Sequence, residues 1–248
     1  MLRSCAITDI GRKRKLNQDF IYVSESPIGN LPNVFIVADG MGGHNAGEFA
    51  SKYAVETIVD EIVSSFEKNP VTVMGKAIEK ANTNTRRKAK EDASLMGMGT
   101  TVVIATCLGK YLEVANVGDS RLYLVNDKIE QITIDHSLVE EMIRMGGIDR
   151  EAARTHPDKN IITRAIGAKD TVEADFFNLE LNTGDMVLLC SDGLTNMVED
   201  EIIKQILNSG GSLQERAEAL VRKANYNGGK DNISVIIIEP LADEVEND

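Results

Sequence analysis

The chain has 248 residues, 42% of them hydrophobic, and a formal net charge of −12. This length suits one domain with a large core, which we place at residues 1–240, ahead of an acidic tail at 241–248. The acidity argues against nucleic-acid binding, and the lack of an apolar run of roughly 18 residues argues against a membrane span, so we expect a cytoplasmic protein with reduced core cysteines.

The first part of the chain is predicted to hold short strands followed by two helices. Runs of β-branched and aromatic residues predict strands at 4–8, 20–23 and 34–38. Apolar residues at helical spacing, ending in Val63 and Phe66, predict an amphipathic helix over 46–66 that covers the first sheet. Asn69 and Pro70 mark the start of a second helix that runs to about residue 93.

Four further strands are predicted at 100–107, 111–117, 121–125 and 129–134. The short turns at 108–110 and 126–128 have hairpin composition, so these strands are interpreted as an antiparallel meander. Ser137 and Glu140 form a capping box that begins a helix ending near residue 145, and 146–168 is expected to leave the core.

The remaining chain returns to strands and ends in a helix pair and a strand. Strands are predicted at 176–181 and 186–190, joined by a turn at 182–185. Helices follow at 199–207 and 212–225, the second with a capping box at Ser212 and Glu215, before a strand at 233–238. Strands interrupted by pairs of helices predict an α+β fold, and no βαβ alternation of a doubly wound sheet is found.

Three acids stand where apolar strands end or begin. The strand at 34–38 runs into Asp39 and Gly40, the strand at 186–190 runs into Ser191 and Asp192, and Asp231 precedes the last strand. Carboxylates at the ends of buried strands are costly unless something pairs with them. Acids far apart in sequence but alike in position therefore predict a shared site for divalent metal ions.

The glycine-rich loop at 39–47 invites a second interpretation, a dinucleotide-dependent enzyme. Its register is wrong, because a G-x-G-x-x-G match starting at Gly40 puts Asn45 on the last glycine. Asp39 would also repel a pyrophosphate unless a cation stood between them. Saturable NAD binding would revive this alternative.

A set of motifs makes a family resemblance specific. Together and in this order, six motifs resemble the metal-dependent serine/threonine protein phosphatases of the protein phosphatase 2C type, bacterial branch: Asp9-x-Gly11-x-x-Arg14-x-x-Asn17-Gln18-Asp19, Asp39-Gly40-Met41-Gly42-Gly43-His44, Gly99-Thr100-Thr101, Asn116-Val117-Gly118-Asp119-Ser120-Arg121, Ser191-Asp192-Gly193 and Gly229-Lys230-Asp231-Asn232. The match covers about residues 2–239. It implies a central sandwich of two antiparallel β-sheets flanked by helices on both outer faces, with a flap subdomain at about 137–169.

The resemblance also implies a reaction and a set of metal ligands. Phosphoserine and phosphothreonine in proteins would be hydrolysed by a metal-bridging water, without a phosphoenzyme intermediate. Asp39 would bridge two Mn²⁺ or Mg²⁺ ions, Gly40 would give its carbonyl to one of them, and Asp192 and Asp231 would hold the other. Asp119, with Asp192, matches the position that binds a third ion in bacterial relatives.

Other residues match positions that handle the substrate and the waters. Arg14 would clamp the substrate phosphate, and Asp19 and Gln18 would act through metal-bound waters. Met41 stands where eukaryotic members carry the histidine that is their general acid. His44, three residues later, is therefore our candidate acid, and a metal-bound water is the alternative.

The residues support this chemistry independently of the resemblance. A pair of divalent ions needs hard oxygen ligands, and an Arg fork suits a phosphoryl group. None of the three cysteines is followed six positions later by Arg, which argues against a cysteine phosphatase. Expected partners are phosphorylated proteins and a cognate kinase of the eukaryotic type, with the enzyme as a monomer. A catalytically silent relative that serves as a binding module is the remaining alternative.

Overall fold

The computed structural model describes residues 2–43 and 45–240. The expectations for His44 and for the tail at 241–248 fall outside the described residues. Two antiparallel sheets form the centre, as predicted. The first sheet has the strand order β1 (Arg3–Asp9), β11 (Ile233–Glu239), β10 (Met186–Cys190), β7 (Arg121–Val125) and β8 (Ile129–Gln131). The second has the order β2 (Asp19–Ser24), β3 (Val34–Met41), β5 (Val102–Leu108), β6 (Tyr111–Val117) and β9 (Asp175–Glu180), and β4 (Gly99–Thr100) pairs with β3.

Helices cover the outer face of each sheet. The second sheet packs against α1 (Ala46–Ser64) and α2 (Pro70–Glu91), and the first sheet against α5 (Asp192–Thr195), α6 (Asp200–Leu207) and α7 (Leu213–Tyr226). Two short helices, α3 (Leu138–Arg144) and α4 (Arg150–Thr155), belong to the segment between β8 and β9. None of the helices in the described part of the chain combines the length and apolar character that a membrane span needs.

The central strands are apolar on both faces because each sheet packs against the other sheet on one face and against helices on the opposite face. In β3, Phe35 and Val37 pack between the sheets, against Ile236 and Ile238 of β11. The alternate residues of β3, such as Ile36, pack under the helices instead. Burial on both faces explains the continuous apolar runs of the sequence, which in an antiparallel sheet with one wet face would alternate with polar residues.

Helix starts were predicted more accurately than helix ends. Asn69 caps α2 by accepting the Thr72 N–H, and the capping box of α7 is formed by Ser212 and Glu215. The helix predicted to reach Phe66 ends at Ser64, and Phe66 is 97% exposed.

One helix and two strands differ from their predicted lengths, and for the helix the cause is local. The Asn30 amide donates to the carbonyls of Ser65 and Glu67, which holds the chain extended after α1. The strand predicted at 129–134 ends at Gln131, and the one predicted at 100–107 is interrupted at Thr101.

The predicted meander is wrong, because it is divided between the two sheets. Strands β5 and β6 pair in the second sheet, and β7 and β8 pair in the first. The link 118–120 crosses from one sheet to the other, and Gly118 takes a φ of 111° there, which disfavours other residues. The turn at 182–185, between β9 and β10, crosses from the second sheet to the first in the same direction. The crossing at 118–120 carries Asp119 to the edge where both sheets end.

Candidate active site

Five aspartates meet at one edge of the sandwich, and we call them the acidic cluster: Asp19, Asp39, Asp119, Asp192 and Asp231. Asp39 lies near the end of β3 and pairs in register with Asp19 on β2. Asp192 begins α5 directly after β10, and Asp231 lies two residues before β11. The first sheet and the second sheet therefore both contribute acids to the cluster.

Asp19 is the buried member, at 6% exposure. Its Oδ2 accepts hydrogen bonds from the hydroxyls of Ser191 and Ser234, each at 2.7 Å. Its Oδ1 is buried without a partner among the described residues. Burial is the main cause that raises the pKa of Asp19 to about 7, against the effect of the two serine bonds. One oxygen is thus fixed and the other is left for a ligand.

The backbone of Asp39 is fixed while its carboxylate faces the cluster. Its N–H donates to Thr101 Oγ1, and its carbonyl accepts from Thr100 Oγ1 and from the Thr101 N–H, all at 2.9 Å. Burial, followed by the charges of the neighbouring acids, raises the pKa of Asp39 well above its ordinary value. A Cβ on Gly40 would overlap the carbonyl oxygen of Gly47, so only glycine allows this loop to close.

Asp192 also keeps an unused oxygen. Its Oδ2 accepts from the Asn196 amide at 2.8 Å, and its Oδ1 is buried without a partner among the described residues. Burial and the charge of Asp231 raise the pKa of Asp192 to about 6. A Cβ on Gly193 would overlap the carbonyl oxygen of Asn232, so the Asp-Gly pair serves a close approach between the start of α5 and the residue before β11.

Asp119 is half-buried and is influenced by charges of both signs. Burial and then the charges of Asp192 and Asp135 raise its pKa well above the ordinary value, and Arg121 opposes them. Arg121 itself forms a bidentate pair with Asp135 at 2.7–3.1 Å. Asp119 is therefore held in reach of the cluster without a direct cationic partner of its own in the hydrogen bonds described.

Arg14 lies on the rim of the cluster, on the loop 10–18. Its Nη2 donates to Asp231 Oδ2 at 2.7 Å, and its side chain is 47% exposed. Asn232 ties the loop down, because its amide donates to the carbonyls of Ile10 and Leu16 and its Oδ1 accepts the Gln18 N–H. The residue after a cluster acid thus positions the arginine.

The donor set fits hydrated divalent cations. Carboxylate oxygens are hard ligands, and two of them are buried and unpartnered in the described structure. No three His, Cys, Asp or Glu side chains of residues 2–43 and 45–240 are grouped as a ready ligand set for an ion. Such a set of carboxylates suits Mg²⁺-like ions, which keep several waters and take few protein ligands directly.

The segment 137–169 lies beside the cluster. Lys159 Nζ donates to Asn196 Oδ1 at 2.8 Å, and Arg154 donates to the Thr195 carbonyl at 3.4 Å, so both residues reach the helix that begins at Asp192. A cavity of about 250 Å³ lies between this segment and the cluster, with Asp119 in its lining.

The structure brings together most of the residues that the sequence singled out. Arg14 and all five aspartates converge, and the Gln18 side chain lies against Gly47 at the start of α1. His44 is outside the described residues. Sequence reasoning missed Ser234, which supports Asp19. Its signal was a hydroxyl inside the apolar run of β11, since a buried polar group needs a partner.

Comparison with known proteins agrees with this architecture. The sequence profile of the protein phosphatase 2C family matches residues 11–222. The chain is 44% identical over 237 residues to the serine/threonine phosphatase stp of Listeria innocua, covering 94% of this chain and 93% of the relative. The crystal structure of Stp1 from Staphylococcus aureus superimposes with a TM-score of 0.90 at 37% identity, over 96% of this chain and 95% of that one.

A further solved relative was crystallised with metal. The catalytic domain of the phosphatase PstP, in complex with two manganese ions, matches with a TM-score of 0.84 at 32% identity, over 96% of this chain and 97% of that one. Family profile, sequence relatives and fold all point the same way. The chain belongs to the protein phosphatase 2C family and is a protein serine/threonine phosphatase.

Proposed function

We propose that the acidic cluster and Arg14 form a metal-dependent centre that hydrolyses phosphoserine and phosphothreonine in proteins by direct attack of water, without a phosphoenzyme. The observation that carries this proposal is the pair of buried, unpartnered carboxylate oxygens on Asp19 and Asp192 beside the guanidinium of Arg14. The manganese complex of the PstP relative supports it.

In this proposal Asp39 would serve both of two Mn²⁺ or Mg²⁺ ions, Gly40 would offer its carbonyl to one, and Asp192 and Asp231 would hold the other. Asp119 would join Asp192 at a third ion. When bound, such ions activate water at neutral pH and offset charge on the phosphoryl oxygens. Burial, and then repulsion between neighbouring acids, raises the pKa of Asp39 and of Asp119, a cost that bound cations would offset.

The chain's own residues orient the reactants. Asp19, held by its two serines, presents one oxygen at a fixed angle and would order water together with Gln18. Arg14 would bind the substrate phosphate. A guanidinium has five N–H donors, so Arg14 can keep its bond to Asp231 and still donate to a phosphate oxygen. The general acid would be His44, with a water on the metal as the alternative.

Direct attack by water is favoured over attack by either buried cysteine, because neither suits a nucleophilic role. Burial raises the pKa of the Cys107 thiol to about 12 and raises that of Cys190 further. Buried thiols with raised pKa values hold little of the reactive thiolate at neutral pH. Neither cysteine can then serve as the nucleophile of a covalent intermediate.

Further proposals concern the surroundings of the site. Residues 1–240 would act as one domain, with a flap at 137–169 that influences which phosphoprotein enters. The net charge of −12 repels anionic substrates at long range, so the ions and the basic run 12–15 would supply the local attraction. We retain a cognate kinase of the eukaryotic type, a monomeric state and a cytoplasmic location as proposals.

The test is hydrolysis of p-nitrophenyl phosphate and of a phosphothreonine peptide in EDTA, Mg²⁺ or Mn²⁺. Asp192→Asn should reduce metal-dependent activity by at least about 100-fold, more than loss of an outer ligand partner costs. Arg14→Ala should raise KM by about 10-fold, the worth of one hydrogen bond to a charged group. Asp60→Asn, on the exposed side of α1, is the control and should behave as wild type. Folded protein without activity under any metal would contradict the proposal and favour a binding module.

A further inference from the structure

His136 has no place in the chemistry above, yet it is among the most constrained side chains near the acidic cluster. Its side chain is 5% exposed. The His136 N–H donates to the Gly118 carbonyl at 2.9 Å, and the Gly118 N–H donates to His136 Nδ1 at 3.0 Å. Both polar groups of the Gly118 backbone are therefore held by one residue.

Gly118 is the residue before Asp119, in the link that crosses between the sheets. A Cβ on Gly118 would lie 2.6 Å from Thr101 side-chain carbons, so the link is also packed tightly. Thr101 Oγ1 lies 2.8 Å from Ser120 Oγ and accepts the Asp39 N–H. The hydrogen bonds of Thr101 and Ser120 thus connect the backbone around Asp119 to that of Asp39. His136 contacts the same link through Gly118.

The opposite edge of the His136 ring reaches the base of the segment 137–169. Because Nδ1 accepts a hydrogen bond, the neutral ring carries its proton on Nε2 and donates it to Asp175 Oδ2 at 3.1 Å. Arg164 donates to Asp175 Oδ1 at 2.8 Å, and the His136 carbonyl accepts the Thr163 N–H at 2.7 Å. The two arms of the segment therefore meet at His136, since the outgoing arm begins at Ser137 and the returning arm contacts His136 at Thr163.

We propose that His136 is a positioning residue that fixes Asp119 relative to the base of the flap. Its Nδ1 holds the backbone in front of Asp119, and its Nε2 holds the returning arm of the flap through Asp175. Asp119, as a proposed metal ligand, and the flap then keep a fixed position relative to each other during turnover. This proposal rests on the proposed role of Asp119 as a metal ligand.

Two substitutions separate the edges of the ring. In His136→Asn the amide oxygen takes the place of Nδ1 and still accepts the Gly118 N–H, but the bond to Asp175 is lost. In His136→Gln the amide nitrogen takes the place of Nε2 and still donates to Asp175, but the Gly118 N–H is left without its acceptor. His156→Asn is the control for the exchange measurement, because among the described residues the His156 ring has one hydrogen bond, accepted from the N–H of Asp158 in the same segment.

The first measurement is hydrogen exchange in EDTA, which is independent of activity. His136→Gln should speed exchange at 116–121, and His136→Asn should speed it at 161–166. The second measurement is kinetics: His136→Gln should raise the Mn²⁺ concentration for half-maximal activity by about 10-fold, as loss of an outer ligand support does. His136→Asn should leave that concentration near the wild-type value and raise KM for a phosphothreonine peptide but not for p-nitrophenyl phosphate.

Equal effects of both substitutions, or effects on thermal stability alone, would show a core histidine without a positioning role. Should either variant fail to fold, Asp175→Asn isolates the flap arm, because it leaves His136 and its bond to Gly118 in place. It should raise the peptide KM without changing the Mn²⁺ dependence, and the opposite result overturns the proposal. If Asp119→Asn leaves the Mn²⁺ dependence unchanged, the proposed role of Asp119 fails, whereas the exchange data still decide whether His136 couples the two segments.

Discussion

Carboxylates at the two ends of the β-sandwich differ in whether cationic side chains pair with them. At the end distant from the acidic cluster, Glu239 of β11 accepts from Arg3 at 3.0 Å and from Arg216 at 3.4 Å, and Glu180 of β9 pairs with Lys110 at 2.6 Å. At the other end of the same strand, Asp231 pairs with Arg14. The rest of the acidic cluster forms no ion pair among those described.

The difference shows where the chain supplies its own countercharge and where it does not. Glu239 and Glu180 are neutralised by side chains of the fold, so that end can be understood as structure. In the acidic cluster, burial and mutual repulsion raise the pKa of Asp39 and of Asp192, which is unfavourable for folding. Such a cost persists in proteins when function requires it, and in our proposal the missing countercharge is that of bound cations.

Asp39→Asn should give the largest effect. Loss of the acid that contacts both proposed ions should lower kcat/KM by at least about 1,000-fold, equivalent to about 4 kcal/mol of barrier. In EDTA the same substitution removes repulsion from the cluster and should stabilise the protein by about 1 kcal/mol, or about 3 °C in Tm. Steady-state kinetics and thermal unfolding of one preparation measure both.

If Asp39→Asn lowers both activity and the stability of the protein, the proposed contrast between the two ends of the sandwich is wrong. It would mean that the carboxylate is already compensated by the protein, as Glu239 is. Asp60→Asn again serves as the control for the loss of one negative charge elsewhere on the chain.

Metal addition should give the next largest effect. An ion at about 100 times its Kd stabilises the folded state by about 2.7 kcal/mol, provided that it does not bind the unfolded chain. We expect Mn²⁺ or Mg²⁺ to raise the Tm of the wild-type protein and EDTA to reverse the rise. Asp39→Asn should lose most of the shift. If millimolar Mn²⁺ and Mg²⁺ leave the Tm of the wild-type protein unchanged, bound cations do not supply the countercharge of the acidic cluster.

The residues of this candidate site were easier to predict from the sequence than the strand topology that brings them together. Each acid follows or precedes an apolar strand, a local pattern that remains visible whichever strands become neighbours. The link at 118–120 has the composition of a tight turn in either case, so its crossing between sheets could not be distinguished from a meander. The choice depends on packing of β6 and β7 against strands far away in the chain.

The contacts that support the site residues could not be predicted from the sequence for the same reason. Ser234 lies 215 residues from Asp19, and His136 lies 39 residues from Asp175. A buried serine or histidine in a strand or turn shows that some partner is required, but not which residue supplies it. The capping box of α7 was predicted in full because all its atoms come from four consecutive residues, whereas only the Ser137 half of the box predicted at the start of α3 is present among the bonds described.

Glu239→Gln should give the smallest effect and the opposite sign in stability. It makes the same chemical change as Asp39→Asn, at the other end of the sandwich. The amide keeps the shape of the side chain but loses charge pairing with Arg3 and Arg216, whose side chains are 65% and 15% exposed. Partly exposed pairs contribute little, so urea unfolding in EDTA should show a loss of under about 1 kcal/mol, with kcat/KM unchanged. A gain in stability would mean that Glu239 too is uncompensated, and a loss of activity would mean that the two ends are coupled through β11.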